Sequence, residues 1–150
     1  MLNSRVRYGL LALLELSLAP PGKPLLIHEI AEARSIPEKY LQQILATLKA
    51  SNYVKSRKGP GGGFVLARLP ESVNLLELAS TLDSNWDHLK CDHAESEERC
   101  GCLQPSVCPI RCSFTSASHA MEKVLVDITL GDLRDKEIEN LKENHSNYVI

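Results

Sequence analysis

The apolar positions of the first fifty residues recur at helical spacing and predict three helices. Four of them share one face of a first helix: Val6, Leu10, Leu13 and Leu14. The run APPGKP at 19–24 must end that helix, which we expect to stop near Leu18. A short second helix is predicted at about 28–33, and a tight turn at 34–37 leads into a third helix with Pro37 near its start. Helices joined in this way form the outline of a helix-turn-helix.

The third helix has an apolar face and a slender polar face. The first carries Leu41, Ile44, Leu45 and Leu48, and the second carries Lys39, Gln42, Gln43, Ala46 and Lys49. A helix in the major groove of DNA needs such a polar face, because glutamine can pair with adenine and lysine can reach guanine or phosphate. We therefore expect Gln42 and Lys39 to contact base edges. Any surface helix has a polar face, so this pattern alone does not identify a DNA reader.

The following segment predicts a β-hairpin with a basic, glycine-rich loop. Residues 53–58 and 64–69 read as two short strands, and the sequence GPGGG at 59–63 permits a tight connection. Cations on a narrow loop suit the minor groove, and glycine lets the backbone approach a phosphate. The candidate DNA contacts in this hairpin are Arg57, Lys58, Gly61 and Gly62. A nucleotide-binding loop is the alternative, but the Gly-Lys-Ser or Gly-Lys-Thr ending is absent from this sequence. The hairpin is therefore interpreted as the wing of a winged helix-turn-helix.

A further set of apolar residues in the C-terminal part of the chain recurs at intervals of four and three residues and forms a stripe. Its members are Ile110, Phe114, Ala117, Met121, Val124, Leu125 and Ile128. The pattern predicts one long helix that Gly131 closes as a C-cap. Such a stripe can be plain core, but little else in the chain is left to cover it. We therefore expect this helix to pair with a second copy of the chain.

Composition and charge place these elements in one compact domain with an appendage. The chain has 150 residues, 43% of them apolar, and a net charge of -2. Residues 1–69 carry ten lysines and arginines against four glutamates, a net charge of +6, whereas residues 70–150 have a net charge of -8. Only the first part suits a polyanion such as DNA. Because no apolar run could cross a bilayer and no cleavable signal is recognisable, we expect a cytoplasmic protein without a membrane partner.

All five cysteines lie within one stretch of 22 residues: Cys91, Cys100, Cys102, Cys108 and Cys112. Free cysteines are usually scattered through a core, so this density needs a reason. A disulfide framework requires an oxidising compartment and normally an even number of cysteines. Soft thiolates brought close by one loop suit an iron-sulfur cluster or zinc, and reactive thiols can also sense oxidants. We expect the cluster, with zinc and bare redox thiols as the alternatives.

No pattern in the sequence indicates catalysis. No Ser-His-Asp set or pair of acids is recognisable, and the cysteine intervals lack the Cys-x-x-Cys redox motif. We therefore expect neither an enzyme nor a small-molecule substrate. The alternative from another functional class is a zinc-stabilised or thiol-based module that binds a partner protein.

Five segments are informative as an ordered set. They are SRVRYGL at 4–10, YLQQIL at 40–45, KGPGGGF at 58–64, the cysteine stretch at 91–112 and ITLGDL at 128–133. Together they resemble the IscR/NsrR family of winged-helix transcription regulators, over nearly the whole chain. The resemblance implies a homodimer that binds a two-fold-related operator of double-stranded DNA. It also implies an iron-sulfur cluster in each subunit, either 2Fe-2S or 4Fe-4S, held mainly by three cysteines.

The same resemblance implies which residues hold the cluster. The cysteines that match the family's pattern are Cys91, Cys102 and Cys108. The first interval is longer than the common one, and Cys100 is an alternative second ligand. Arg111 and Arg7 stand at the positions whose side chains complete the site in some relatives. The fourth ligand therefore stays open among Cys112, Cys100, a residue of the partner subunit and a small external ligand.

These expectations define three parts of a mainly α-helical protein. Residues 1–85 form a winged helix-turn-helix with a two-stranded wing, 86–108 a cysteine-rich cluster loop, and 109–150 a dimerisation helix with a C-terminal tail. Three side chains are expected to contact the operator: Lys39, Gln42 and Lys58. Four others are expected to position the protein on the DNA backbone: Ser4, Arg5, Tyr40 and Arg57.

Overall fold

The order of helices and strands is that of a winged helix-turn-helix followed by a helical C-terminal part. The computed structural model describes residues 3–84, 86 and 109–147. The N-terminal elements are α1 (Ser4–Leu18), α2 (Ile27–Ala33), α3 (Glu38–Ala50), β1 (Val54–Arg57) and β2 (Gly63–Leu66). They are followed by a 3-10 turn (Pro70–Ser72), α4 (Leu75–Leu82), α5 (Pro109–Val126) and α6 (Leu130–Asn147). The predicted mainly helical fold with a two-stranded wing is confirmed.

Local signals set the ends of the first helices. The side chain of Asn3 caps α1 by accepting a hydrogen bond from the amide of Val6. The helix ends at Leu18, as predicted, because the prolines that follow cannot continue it. Between α2 and α3, Ser35 adopts a left-handed backbone conformation with φ 51°, and the amide of Ile36 donates to a carbonyl of α2 at 2.9 Å. This turn brings the side chain of Ile36 into the core.

The core lies between α1, α3 and α4 and includes the first residue of α6. Its fully buried side chains include Val6, Leu13, Ile30, Leu41, Ile44, Leu45, Leu48, Leu78 and Leu130. The apolar face predicted for the third helix is therefore confirmed at all four of its positions. Burial of a leucine of this kind contributes about 1.5–3 kcal/mol. Since the core leaves the opposite side of α3 uncovered, the polar face predicted for that helix is held toward solvent.

The wing is an antiparallel pair in which Val54 faces Leu66 and Arg57 faces Gly63. Both strands are shorter than the predicted 53–58 and 64–69. In the connecting loop the amide of Gly62 donates to the carbonyl of Gly59 at 2.9 Å, and Gly61 has a φ of 73°. Proline followed by a residue with positive φ is the signature of a type II turn. The predicted tight hairpin is therefore confirmed.

The C-terminal part differs from the prediction at Gly131. The apolar stripe forms a helix as far as Leu125, but α5 ends at Val126, so Ile128 lies beyond it. Gly131 lies in the first turn of α6 instead of closing the earlier helix. The Asp132 amide donates to the Thr129 hydroxyl at 3.1 Å, and the Asp132 carboxylate accepts from the Thr129 amide at 2.8 Å. This reciprocal cap starts a new helix. The expected C-terminal tail is therefore largely the helix α6, which extends to Asn147.

The helix α6 packs back onto the N-terminal part of the chain. The amide of Leu130 donates to the carbonyl of Val73 at 2.8 Å, and Leu130 is fully buried. Arg34, in the helix-turn-helix turn, forms ion pairs of 2.7 Å with Glu15 of α1 and 2.8 Å with Glu137 of α6. Burial alone would lower the pKa of Arg34, but the two carboxylates outweigh it and the pKa is raised. Arg34 thus joins three helical elements while staying charged.

A membrane-spanning helix needs about 20 consecutive, mostly apolar residues to cross the hydrocarbon core of a bilayer. None of the helices in residues 3–84 and 109–147 combines that length with that apolar character.

Candidate nucleic-acid interface

The outer face of α3 is exposed along its whole length. The side chains predicted for this face are all exposed: Lys39, Gln42, Gln43, Ala46 and Lys49. Among the described residues, neither Lys39 nor Gln42 has a side-chain hydrogen-bond partner. An amide and an ammonium group without internal partners are available to a ligand outside the chain. The structure therefore presents both predicted base-contacting residues in a usable position.

The start of α1 lies beside α3 and extends the same surface. Ser4 and Arg5 are exposed, and the guanidinium of Arg5 donates to the hydroxyl of Thr47 on α3 at 2.8 Å. The rings of Tyr8 and Tyr40 pack edge to face with centroids 5.8 Å apart. These two contacts hold the first turn of α1 against the exposed helix. Ser4, Arg5 and Tyr40 are therefore brought together, as expected for residues that position a DNA backbone.

The wing continues this surface on the other side of α3. The ammonium group of Lys49, near the end of α3, donates to the hydroxyl of Ser56 on β1 at 2.6 Å. Lys58 is exposed and has no side-chain partner among residues 3–84, 86 and 109–147. Arg57 instead donates to the carbonyl of Gly22 at 2.9 Å, so its guanidinium is directed to the turn after α1 and not to the wing tip. Lys58 is thus the freer of the two predicted wing cations.

Two glycines of the wing loop cannot be replaced without cost. A Cβ at Gly62 would lie 2.8 Å from the carbonyl oxygen of Gly59, inside contact distance. Gly61, with its positive φ, has open space around it and is exposed. A backbone without side chains at these two positions can approach a phosphate closely. The geometry agrees with the expected role of Gly61 and Gly62.

The wing is fixed to the rest of the protein at Gly63. Leu25 and Phe64 form an isolated antiparallel bridge, with reciprocal amide-to-carbonyl bonds of 3.0 and 2.8 Å. Gly63 has a φ of 142°, and a Cβ there would overlap the carbonyl of Leu25. Only glycine fits this close approach. Gly63 was not among the expected site residues, although the triple glycine in the sequence pointed to the loop.

We expect Gly63→Ala to loosen the wing at its attachment. The substitution combines a disfavoured φ with overlap against a backbone carbonyl, which should lower the free energy of unfolding by about 2–3 kcal/mol. Gly61→Ala is the matched control, because its positive φ alone costs about 1 kcal/mol. Urea denaturation of the wild type and the two variants measures the loss in free energy of unfolding for each substitution. Equal losses in the two variants would contradict this description of Gly63.

A helix that sequence reasoning missed, α4, links the exposed surface to the cysteine stretch. Asn74 caps it by accepting from the amide of Glu77 at 2.8 Å, so the pair Asn74 and Glu77 is a start signal that the sequence contained. The helix contacts α1, α3 and α5. Just after it, a carboxylate oxygen of Asp83 accepts from the side-chain amide of Asn3 at 2.7 Å. The end of α4 is therefore tied to the start of α1.

Arg68, which follows the wing, ties the wing to α3 and α4. Its guanidinium donates to Glu77 at 3.0 Å and to the carbonyls of Ser51 and Asn52, and it lies 4.3 Å above the ring of Tyr53. The hydrogen bond from Arg68 holds the pKa of Glu77 below its usual value. This cation therefore has a structural role and is not available to a phosphate.

Most of the expected metal ligands lie outside the described residues. This applies to Cys91, Cys100, Cys102 and Cys108, whereas Cys112 is described and is exposed on α5. At the other side of the stretch, Trp86 packs against the core. Its buried Nε1–H has no hydrogen-bond acceptor within the described part of the chain. Trp86, after α4, and Pro109, at the start of α5, are thus the described residues on either side of 87–108.

An exposed third helix, a hydrogen-bonded wing and a basic first half define a winged helix-turn-helix DNA-binding protein. The comparison with protein families agrees with this class. The model of the Rrf2 family, described as an iron-dependent transcriptional regulator, matches residues 2–136. The chain therefore belongs to the Rrf2 family.

Similar proteins support the same assignment. The HTH-type transcriptional regulator IscR of Escherichia coli is 30% identical over 132 residues, which cover 88% of this chain and 78% of that protein. The solved structure of T. potens IscR has a TM-score of 0.72 at 23% identity, covering 100% of this chain and 92% of that one. CymR of B. subtilis, described as the global cysteine regulator, has a TM-score of 0.74 at 25% identity, covering 91% of this chain and 97% of that one.

The family assignment confirms the coarser part of the functional expectation. The chain is a DNA-binding transcriptional regulator, and its relatives are regulators and not enzymes. The resemblance to the IscR/NsrR family is likewise confirmed.

Proposed function

We propose that this Rrf2-family regulator is a homodimer whose operator binding is controlled by an iron-sulfur cluster at Cys91, Cys102 and Cys108. The observation that carries the proposal is the position of α5, which begins at Pro109, directly after the last of these cysteines, and has an uncovered apolar face. One helix thus adjoins both the thiolates and the surface that a second copy would cover. The family's description as iron-dependent and the similarity to IscR support the choice of iron.

The donor set fits such a cluster. Thiolates are soft ligands that suit iron-sulfur clusters and zinc, and Cys91, Cys102 and Cys108 supply three. Cys100 is the alternative second ligand, and the exposed Cys112 is one candidate for the fourth. The buried Nε1–H of Trp86 has no acceptor among the described residues, and a thiolate or sulfide could accept its hydrogen bond. A cluster of either type would supply iron that reacts with oxidants, and zinc is the closed-site alternative.

The dimer is proposed from the large apolar side chains that α5 leaves exposed. The helix contacts α4, and Ser118 on it is buried. Phe114 is nevertheless 52% exposed and Val124 is 61% exposed, and the exposed Ala117 lies between them on the same stripe. Large apolar side chains at this helical spacing favour burial against a partner helix. A second copy of the same stripe supplies that partner with no further protein.

Control of DNA binding requires a path from the cysteine loop to the reading surface. The helix α5 contacts α4, and α4 contacts both α1 and α3. Asp83, between α4 and the loop, is bonded to Asn3 at the start of α1. A change in the loop at 86–108 therefore has a short packed route to the two reading heads. The proposal is that this route alters their spacing or rigidity.

On the operator, three exposed side chains make the direct contacts: Lys39, Gln42 and Lys58. Four residues are assigned to contacts with the DNA backbone that position the protein: Ser4, Arg5, Tyr40 and Arg57. Gly61 and Gly62 are assigned the role of letting the wing approach a phosphate closely. Most of this affinity comes from neutralised phosphates, so binding should weaken steeply as salt rises. Because a regulator of this kind meets its DNA inside the cell, a cytoplasmic location is part of the proposal.

We expect Gln42→Ala to change which bases are preferred, whereas Lys58→Ala should weaken binding to all sequences alike. An amide paired with a base discriminates by about 1–3 kcal/mol, while a lysine on a phosphate carries no sequence information. Selection of bound duplexes from a random pool, repeated with each variant, measures the preference. If the selected sequences are the same for wild type and Gln42→Ala, this residue does not read bases.

The alternative, a zinc-stabilised module that binds a protein, is separated by one gel-shift experiment. A duplex selected by the wild type is titrated at about 50 mM and 200 mM salt, a range over which groove binding loses orders of magnitude in affinity. Steep loss of binding supports the proposed function. Indifference to DNA at both salt concentrations, together with bound zinc, would favour the alternative.

A further inference from the structure

A cavity of about 370 Å³ lies behind the wing and away from the exposed face of α3. Its walls come from the end of α1 and the turn that follows, from both wing strands, from the segment at 69–71 and from α6. Of the proposed DNA-contacting residues, only Arg57 lines this cavity. Its size is in the usual range for a small organic ligand.

The walls are apolar on one side and cationic on the other. The apolar part includes Leu16, Val65, Leu66 and Leu69, and Leu69 is 73% exposed at the rim. The charged lining residues are Lys23, Arg57, Arg68, Arg134 and Glu71. The lining therefore contains more cations than carboxylates. A ligand with an apolar body and an anionic end would match both parts.

Two of the four cations already have acidic partners within the protein. Arg68 is paired with Glu77 at 3.0 Å, and Arg134 is paired with both Glu71 and Asp135 at 2.9 Å. The hydrogen bond to Asp135 has the largest effect on the pKa of Arg134 and raises it. The hydrogen bond to Glu71 adds to this rise, and burial opposes it. These arginines shape the wall and keep their charge.

The other two cations have no acidic partner in the described part of the chain. Arg57 donates to the carbonyl of Gly22, and the ammonium group of Lys23 has no side-chain partner there. Gly22 and Lys23 are adjacent in the chain, and both Lys23 and the arginine bonded to Gly22 line the cavity. An arginine and a lysine in this arrangement suit a carboxylate, because charge-assisted hydrogen bonds to it are strong.

We propose that this cavity binds a small organic carboxylate, with the acid group at Lys23 and Arg57 and the apolar body against Leu66 and Leu69. Arg57 is the last residue of β1 and pairs with Gly63, next to the wing loop. A carboxylate there would add a second link between Arg57 and the turn after α1, besides the bond to Gly22, and so hold the loop end of the wing. The regulator would then respond to an anionic metabolite in addition to any signal at its cysteines. The binding step rests on this cavity alone and not on the proposed cluster or dimer.

The test is calorimetric titration of the full chain, without DNA, with 3-phenylpropionate as the probe. The neutral 3-phenylpropanol and the cationic 3-phenylpropylamine are matched in shape and differ in charge. We expect the acid to bind with a Kd of roughly 0.1 mM, from the usual binding free energy per ligand atom. The alcohol should bind about tenfold more weakly, because it lacks the charge-assisted hydrogen bonds.

Two variants locate the site. Lys23→Gln should weaken binding of the acid about tenfold and leave the alcohol unchanged, because only the charge is lost. Lys136→Gln, at an exposed lysine of α6 outside the cavity lining, should change neither. No detectable binding of the acid, equal binding of acid and alcohol, or an unchanged Kd in Lys23→Gln would each overturn the proposal. Because this titration uses neither DNA nor iron, its failure would leave the proposed function untouched.

Discussion

Cys108→Ser should yield a regulator whose operator binding no longer depends on iron or oxidant. The substitution removes one of three proposed thiolate ligands, and the hydroxyl oxygen of serine is a much poorer ligand for a soft metal centre. We expect iron and sulfide content, measured after anaerobic purification, to fall by about tenfold or more, from the size of typical effects at metal ligands. Operator affinity should then be the same before and after exposure to air.

The matched control for this experiment is Ser116→Ala, at an exposed position of α5 that, like the first turn of the helix, follows Cys108 in the chain. It should keep both the iron and the response to air. Cys112→Ser, tested in parallel, decides whether the exposed thiol on α5 is the fourth ligand. A Cys108→Ser protein that keeps its iron and responds to air as the wild type does would contradict the assignment of this ligand.

The double variant Phe114→Asp with Val124→Asp should convert the protein to a monomer at micromolar concentration. Two carboxylates placed on the exposed apolar stripe of α5 would have to be buried without partners if two stripes met. Loss of the dimer removes the second reading head, so affinity for a two-fold-related operator should fall by about a hundredfold or more. Sedimentation equilibrium measures the mass, and fluorescence anisotropy measures the affinity.

The control for the dimer is Lys123→Ala, because Lys123 is an exposed polar position on the same helix. It should keep the mass and the affinity of the wild type. Since the substituted side chains are exposed in the single chain, circular dichroism should show a folded protein in every case. A double variant that still sediments as a dimer would show that α5 does not form the interface.

The sequence predicts the reading head because its signals there are local. The apolar face of α3 is a helical repeat, the prolines after Leu18 stop α1, and the glycine-rich loop allows one kind of hairpin. Each of these depends on residues close together in the chain, so no knowledge of distant packing is required. For the same reason, the exposed positions of Lys39, Gln42 and Lys58 are predicted correctly, although their roles on DNA stay predictions.

The prediction for Gly131 was wrong because two local signals overlap there. A glycine after an apolar stripe is typical of a helix C-cap, but Thr129 and Asp132 around it form an N-terminal cap. Burial of Leu130 and its backbone bond to Val73 favour the second signal, and both are long-range contacts. The same reason explains why α6 was read as a tail. Its sequence is mostly charged and polar, and its place depends on packing against α1.

The remaining features arise only when distant segments meet. The bond between Arg57 and Gly22 joins residues 35 positions apart, and that between Arg34 and Glu137 joins residues 103 positions apart. Neither pair has a spacing that a periodic pattern could identify. The cavity behind the wing has the same origin, because its walls come from separate stretches of the chain. The expected ligands between Trp86 and Pro109 lie outside the described residues, and their assignment depends on the resemblance.

The most direct test of the central claim is the affinity of one preparation for a selected duplex, with and without its cluster. The protein is purified anaerobically, its absorption spectrum and its iron and sulfide contents are recorded, and half is treated with a chelator and oxidant. Fluorescence anisotropy then gives the Kd of both halves under the same salt. We expect a brown protein in which the two Kd values differ by about tenfold or more, as coupling free energies of about 1–3 kcal/mol allow. A colourless, iron-free preparation, or equal Kd values for the two halves, would contradict the claim that the cysteine loop controls DNA binding.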